Sequence, residues 1–141
     1  MIEKHPKEYP KVGLSIIVTR GNEVLIGKRK GAHGAGSWSF PGGHLEFGEA
    51  LEDAVKRELQ EEANIKTKNI DFVTATNDID NRENKHYVTL FFKGEYDSGE
   101  VKVNEPDRCE SWIWVEWKKI PKPRFLGVKN LIKTGYNPFK N

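Results

Sequence analysis

The segment Leu51–Glu62 constrains the fold most, because its apolar residues and two of its acids fall on one helical face. The apolar residues follow the i, i+3/i+4, i+8 spacing of an amphipathic helix: Leu51, Ala54, Val55 and Leu59. At about 100° per residue, Glu58 lies within roughly 20° of Leu51. Glu62 lies within roughly 20° of Val55 by the same geometry. Because an unpaired buried carboxylate is costly, these acids must be protonated, paired or bound to a metal.

A third acid, Glu61, lies about 60° from Glu58 on the same wheel and one turn away along the axis. Three carboxylates in one patch repel each other unless cations neutralise them. Arg57 can balance one of them, and a divalent cation can balance the rest, since Mg²⁺ takes oxygen ligands and binds substrate phosphates. The alternative is a solvated acidic face with i,i+4 ion pairs, such as Arg57 with Glu61.

The residues before this helix, Phe40 to Gly48, form a loop whose three glycines let the backbone approach a ligand closely. The combined pattern is Gly43, five residues, Glu49, seven residues, the run Arg57-Glu-Leu-Gln-Glu-Glu62, and then Ile65. In spacing and residue type it resembles the Nudix box, the signature of hydrolases acting on a nucleoside diphosphate linked to another group. Asn64 replaces the final glycine of the box. Asn tolerates the left-handed conformation that ends a helix, so we interpret this change as structural.

The resemblance covers nearly the whole chain, from about Lys11 to Lys140. A MutT-like subgroup, which includes a mammalian nucleoside triphosphate diphosphatase and a plant cytosolic Nudix enzyme, shares further segments with it: Gly27–Gly31, Gly34–Ser37, His86–Thr89, Cys109–Trp112 and Gly135–Phe139. The resemblance therefore implies one Nudix domain over residues 1–141, with the α/β fold of the family, a mixed sheet between helices in an α/β/α sandwich.

The family's catalytic residues map onto the helix. The resemblance implies that Glu58 and Glu62 bind Mg²⁺ directly and that Glu61 binds it directly or through water. The carbonyl of Gly42 would complete the ligand set, with Mn²⁺ as the alternative metal. Arg57 would orient the carboxylates and balance their charge, and Glu58 is our first choice for activating the attacking water.

Substrate contacts are expected outside the helix. Arg29 lies in a run of three cations, which is typical either of an ordinary basic turn or of a phosphate clamp, that is, a site that binds phosphate. The second is possible because Arg can donate bidentately to phosphate oxygens. Beside the box we favour the clamp, and the subgroup has a phosphate-binding arginine at this position. The resemblance implies further nucleotide contacts from a larger set of residues: Ser39, Phe40, Gly43, Thr89, Phe125, Leu126, Gly127 and Val128.

By resemblance, the expected reaction is cleavage of (deoxy)nucleoside triphosphates, including oxidised ones such as 8-oxo-dGTP, to monophosphate and pyrophosphate. Prenyl diphosphates, ADP-ribose or nucleotide sugars are the alternative substrates on the same fold, and a wholly apolar pocket would favour the prenyl compounds. A non-enzymatic nucleotide-binding module would normally show a broken box, whereas every carboxylate is present here. An RNA-end hydrolase would be expected to bind RNA in a strongly salt-sensitive manner.

Composition limits the other classes of function. The length of 141 residues fits one domain, and a net charge of +2 is too small to indicate nucleic-acid binding by bulk electrostatics. The longest apolar run, Leu14–Val18 interrupted by Ser15, is far shorter than a membrane span, and residues 1–10 lack the apolar core of a signal peptide. A single cysteine, Cys109, allows no intrachain disulfide. We therefore expect a cytoplasmic protein, and the family suggests a homodimer.

The remaining segments predict a sheet with one early and one late helix. The predicted strands are Val12–Thr19, Glu23–Lys28, Asn69–Thr76, His86–Tyr96 and Glu110–Trp117, the last near the sheet centre. The late helix begins near Phe125 and ends at Gly135. Between two strands, residues 77–85 predict a polar loop whose acids are solvated.

Overall fold

Residues 8–140 are described by the computed structural model, and they form a mixed seven-stranded sheet between two helices. The strands are β1 (Lys11–Arg20), β2 (Glu23–Arg29), β3 (Trp38–Ser39), β4 (Gly42–His44), β5 (Lys66–Asp80), β6 (Lys85–Ser98) and β7 (Cys109–Glu116). The helices are α1 (Leu51–Ala63) and α2 (Leu126–Lys133), with a 3₁₀ turn at Trp117–Lys119. The predicted α/β/α architecture is confirmed. In this part of the chain no helix combines the length and apolar character that crossing a membrane requires.

The main path of the sheet runs β3-β2-β1-β6-β5, and β1 pairs in parallel with β6. The short strand β4 pairs with β1, and β7 pairs with β2. Our placement of the Glu110–Trp117 segment near the sheet centre is wrong, because within residues 8–140 β7 has β2 as its one strand partner. Alternating tryptophans do not distinguish a central strand from an outer strand whose faces are covered by other side chains.

Two separate cores fill the faces of the sheet. On β1, Ile16 packs in the core that contains the α1 residues Val55 and Leu59, while Ile17 packs in the core that contains the α2 residue Leu131. Each of these side chains is fully buried. Because successive strand residues point to opposite faces, one apolar run supports a helix on each side of the sheet.

The ends of α1 show why the helix stops where it does. Asn64 follows the helix with φ 63°, and its N–H donates to the carbonyl of Leu59, as expected for a left-handed cap. At the other end Ala50, two residues after the last glycine of the loop, is the N-cap residue and makes no side-chain capping bond. Leu51, which we placed on the apolar stripe, is 39% exposed in this first turn.

The predicted polar loop at residues 77–85 is wrong. β5 continues to Asp80 and β6 begins at Lys85, so the connection is a four-residue turn. The Asp80 carboxylate accepts bonds from the N–H groups of Arg82 and Glu83, and Asn84 has φ 52°. Such a tight turn lets the polar residues before it pair as strand, and one of them, Asp78, is only 5% exposed.

Candidate functional site

Arg57 on α1 is the centre of a carboxylate network. Its Nε donates to Glu49 Oε2 at 2.6 Å, and its Nη2 donates to Glu49 Oε1 at 2.9 Å. Its Nη1 donates to Glu58 Oε1 at 2.8 Å and to Glu61 Oε1 at 3.0 Å. Nη2 also reaches the carbonyl of His44 at 3.1 Å, which joins the glycine-rich loop to the helix. The hydrogen bonds to Glu49 raise the pKa of Arg57 above its usual value and lower that of Glu49.

Glu58 is the buried acid that the helical phase predicts, and it is 7% exposed. Burial raises its pKa, while the hydrogen bond from Arg57 opposes that change. Gly43 lies directly against this carboxylate, because a Cβ built on the glycine would collide with it. The loop therefore needs glycine at this position to let its backbone approach the acid.

Glu62 is the acid of the cleft whose pKa is raised the most. Its Oε1 accepts the N–H of Gly42 at 2.9 Å. Burial raises its pKa to about 8, the Gly42 bond opposes the change, and repulsion from Glu58 and Glu105 adds to it. The ionised form of Glu62 is therefore disfavoured at the end of the helix, and a cation placed there would stabilise it.

The donor set of the helix suits a hard divalent cation, because Glu58, Glu61 and Glu62 offer only oxygen atoms. Within residues 8–140, however, no three acid, histidine or cysteine side chains already converge as a ligand cage. Arg57 holds Glu58 and Glu61, and Gly42 holds Glu62. The chemistry of the residues fits a metal, and binding it would require the carboxylates to exchange some of these partners.

Arg29 supplies positive charge opposite the acids. It ends β2, and its guanidinium lies 4.0 Å from the centroid of the Phe125 ring. Its Nε donates to the carbonyl of His33 at 3.0 Å, and its Nη1 donates to Ser39 Oγ at 3.5 Å. Burial lowers its pKa from the usual value, while the acid Glu62 opposes that effect. A partly buried guanidinium with donors that remain free is suited to an anionic ligand.

Beyond Arg29 the cleft ends in a recess between β3, β6 and α2. Phe40 stacks on Trp117 with ring centroids 5.8 Å apart and packs edge-on against Phe91 at 6.5 Å. Ser39 is 8% exposed beside it. Of these rings Phe40 and Phe91 line the cleft, as Phe125 does, so the recess has aromatic walls and a small number of polar groups.

One cleft of about 700 Å³ joins the acids, Arg29 and the recess. Every residue that the sequence singled out for the site lines it: Arg29, Ser39, Phe40, Gly42, Gly43, Arg57, Glu58, Glu61, Glu62, Thr89, Phe125, Leu126, Gly127 and Val128. The roles of these residues stay predictions. The fold brings them together in one cleft, although they come from well-separated stretches of the chain.

Sequence reasoning missed other residues of the cleft: His33, Asp78, Tyr87 and Glu105. His33 packs edge-on against Phe125, and its Nδ1 is hydrogen-bonded to Glu83, which lowers the pKa of that acid. Asp78 lies in the segment assigned to a loop, and Glu105 lies in a polar connection. No apolar periodicity marks either acid, so only the strand pairing and the turn geometry reveal them.

Comparison with known proteins gives a family for this arrangement. The model of the NUDIX domain matches residues 9–134, which is most of the chain. The chain belongs to the Nudix family. It is a Nudix hydrolase, and hydrolases of this family generally use divalent ions such as Mg²⁺ or Mn²⁺.

Similar proteins include a MutT NUDIX hydrolase from Burkholderia pseudomallei, whose crystal structure has a TM-score of 0.84 and 32% identity, covering 89% of this chain and 98% of that one. The NUDIX domain of NrtR from Shewanella oneidensis, solved with ADP ribose, shares the fold at 17% identity and a TM-score of 0.74, covering 95% and 91% of the two chains.

Among curated proteins, this Nudix hydrolase is similar to the NAD-capped RNA hydrolase NudC of Photorhabdus laumondii, with 32% identity over 119 residues. That match covers 83% of this chain and 44% of the relative. The NudC of Yersinia enterocolitica is 34% identical over 115 residues, with 80% and 42% covered. The chain thus spans less than half the length of these curated relatives.

Proposed function

We propose that this Nudix hydrolase is a Mg²⁺-dependent pyrophosphohydrolase that cleaves (deoxy)nucleoside triphosphates to the monophosphate and pyrophosphate. Oxidised nucleotides such as 8-oxo-dGTP belong to the proposed substrates. The observation that carries the proposal is the single cleft, which holds acids at one end, a partly buried arginine between, and an aromatic recess at the other end. A phosphate chain needs the first two, and a planar base suits the third.

Different residues of the cleft bind the phosphates and the base. Arg29 binds phosphate oxygens, and its stacking on Phe125 fixes the guanidinium in one orientation. Ser39, Phe40, Thr89 and the segment 125–128 contact the base. In this way the phosphate to be attacked is held beside the helix acids while the base is held away from them.

The helix acids supply the chemistry. The proposed metal ligands are Glu58, Glu61 and Glu62, with the Gly42 carbonyl. When bound, Mg²⁺ would neutralise the phosphate oxygens and favour ionisation of water. Glu58 accepts a proton from the attacking water, and Arg57 holds it in place. The water oxygen bonds to one phosphorus of the cleaved anhydride, and the other product, monophosphate or pyrophosphate, leaves with the electrons of the broken P–O bond.

A second candidate reaction is hydrolysis of a diphosphate that joins two nucleosides or a nucleoside and a sugar, as in NAD or ADP-ribose. The similarity to the NudC hydrolases favours it. So does a set of cations that line the same cleft around Arg29: Lys11, Lys28, Lys30, Lys85 and Arg108. Such a set could bind negative charge beyond a single nucleotide.

Product analysis by phosphorus NMR tests both candidates. The purified protein is incubated with and without Mg²⁺ and with natural and oxidised nucleoside triphosphates, ADP-ribose, NAD, NAD-capped RNA and geranyl diphosphate. Metal-dependent release of pyrophosphate and monophosphate supports the main proposal. Turnover confined to ADP-ribose, NAD or capped RNA supports the second candidate. Turnover of the prenyl compound alone, or tight nucleotide binding without turnover, contradicts both.

We further propose that residues 1–141 act as one domain, that the protein is a cytoplasmic homodimer, and that it binds no long nucleic acid. The subgroup resemblance supports the dimer. The net charge of +2 supports the absence of nucleic-acid binding, because it is too small to attract a long nucleic acid by bulk electrostatics. Sedimentation at micromolar concentration tests the dimer, because a purely monomeric boundary would remove it. RNA binding that weakens steeply with salt would contradict the last expectation.

A further inference from the structure

Asp78 is a buried acid that the hydrolytic end of the cleft does not use. It is 5% exposed on β5, and it lines the cleft beside Thr89 and Phe91. Among residues 8–140, the ion pairs found include none with Asp78. A buried carboxylate without a cation is costly, and one that lines a cleft can be stabilised by the hydrogen-bond donors of a ligand.

Two neutral donors hold the carboxylate in position. Thr89 Oγ1 on β6 donates to Asp78 Oδ2 at 2.6 Å, and Asn130 Nδ2 on α2 donates to Oδ1 at 2.8 Å. A carboxylate has about four acceptor positions, so about two stay free. The group is therefore oriented by both neighbours and is still able to accept hydrogen bonds.

Gly127 keeps space in front of the acid. A Cβ built on this glycine would lie 3.0 Å from Asp78 Oδ2 and 3.7 Å from Phe91 Cζ. The contact of 3.0 Å is tighter than ordinary van der Waals contact. A glycine at the start of α2 thus leaves the carboxylate open beside the aromatic surface of Phe91.

We infer that Asp78 determines substrate specificity by accepting hydrogen bonds from adjacent N–H groups on the edge of a purine base. The inference rests on the proposed function, and it adds the class of base. A guanine edge presents N1–H and the 2-amino group side by side, which matches a carboxylate in the way that a guanidinium does. Adenine presents one amino group next to an acceptor nitrogen, and a prenyl chain presents no donor.

The alternative is that Asp78 only fastens α2 to the sheet. A fastening role affects stability and lowers activity toward every nucleotide alike. A recognition role instead changes the ratio between two substrates that differ in one donor, because an unpaired polar group in the site discriminates against the analogue that lacks its partner. The ratio therefore separates the two roles.

The experiment compares kcat/KM for dGTP and dITP, which lacks the 2-amino group, in the wild-type protein, Asp78→Asn and Asp71→Asn. We expect the wild type to prefer dGTP by about tenfold or more, mainly through KM. In Asp78→Asn the preference should fall below about threefold. Asp71 is an exposed acid on the same strand and is not among the residues that line the cleft, so Asp71→Asn should keep the wild-type ratio.

Equal kcat/KM values for dGTP and dITP in the wild type overturn the inference. So does a preference for dGTP that is the same in Asp78→Asn as in the wild type. A test that does not depend on the folding of a variant uses the wild type with 1-methyl-dGTP, in which a methyl group replaces the N1 hydrogen. Turnover equal to that of dGTP overturns the inference, and a loss of about tenfold or more supports it. If the wild type hydrolyses none of these triphosphates, the proposed function fails. If it hydrolyses them without discrimination, only the inference fails.

Discussion

The two ends of the cleft differ in how their residues are arranged along the chain. The acidic end is made almost entirely of residues 42–62, in one loop and one helix, and Arg57 connects its members. The recess is made of β3, β6, α2 and the end of β5, which are far apart in sequence. Chemistry common to a family can thus be recognised from one short segment, while recognition of a particular base depends on long-range packing.

The largest expected effect tests whether the acidic end alone supplies the chemistry. Glu62→Gln keeps the shape of the side chain but removes its charge, so kcat should fall by roughly 10²-fold or more for every substrate. Steady-state kinetics with two nucleotides measures this. The matched control is Glu52→Gln, an exposed residue on the same helix, which should retain the wild-type rate. Near-native turnover in Glu62→Gln would remove the assignment of the helix acids.

Arg29 connects the two ends, so its replacement shows whether they act together. Arg29→Lys keeps the charge but loses the planar fork and the stacking on Phe125. We expect KM for a triphosphate to rise about tenfold, with a smaller change in kcat. Arg20→Lys, which also loses the stacking of a guanidinium on an aromatic ring but is not among the residues that line the cleft, serves as the control. A fall in kcat at unchanged KM would instead indicate that Arg29 acts in the chemical step.

A pH series tests the acidic end without any substrate. The folded pKa of Glu62 is about 8, above the usual 4.5, so its contribution to stability is fully present below pH 4.5 and is lost as the pH rises through 8. Thermal unfolding in EDTA should therefore show a melting temperature that falls between pH 5 and 8. Mg²⁺ should restore several degrees at pH 8 and less at pH 6.

Glu62→Gln supplies the comparison for this series. Without the carboxylate, the fall between pH 5 and 8 should become shallower, and the stabilisation by Mg²⁺ should shrink at pH 8. A wild-type curve that rises over the same range would show that Glu62 is ionised and paired in the metal-free protein, and would contradict the shift that we describe.

The smallest expected effect comes from a substitution that changes only the recess. Gly127→Ala adds a methyl group that meets Asp78, so KM for a purine triphosphate should rise about threefold while kcat stays near the wild type. The melting temperature should stay equal or increase slightly, because alanine favours a helix over glycine. Lys129→Ala is an exposed control on the same helix. A fall in kcat that exceeds the rise in KM would show that a change in the recess also affects the chemistry at the acidic end.

The sequence predicted the acidic end well, since the phase of Glu58 and the spacing of the box are local properties. It also predicted the left-handed cap at Asn64, because one residue type explains that conformation. Residues 77–80 were misread as loop because their polar composition is typical of turns. Their burial depends on donors from β6 and α2, and no local pattern carries that information.

The two cores on opposite faces of the sheet have a consequence for how such a scaffold can change. α1 packs in one core and α2 packs in the other, so the helix that presents the acids and the helix that closes the recess rest on different sets of side chains. Mutations in separated sites usually combine additively. A library of α2 sequences could therefore be transplanted onto this sheet to obtain enzymes for new bases, with the hydrolytic helix left as it is.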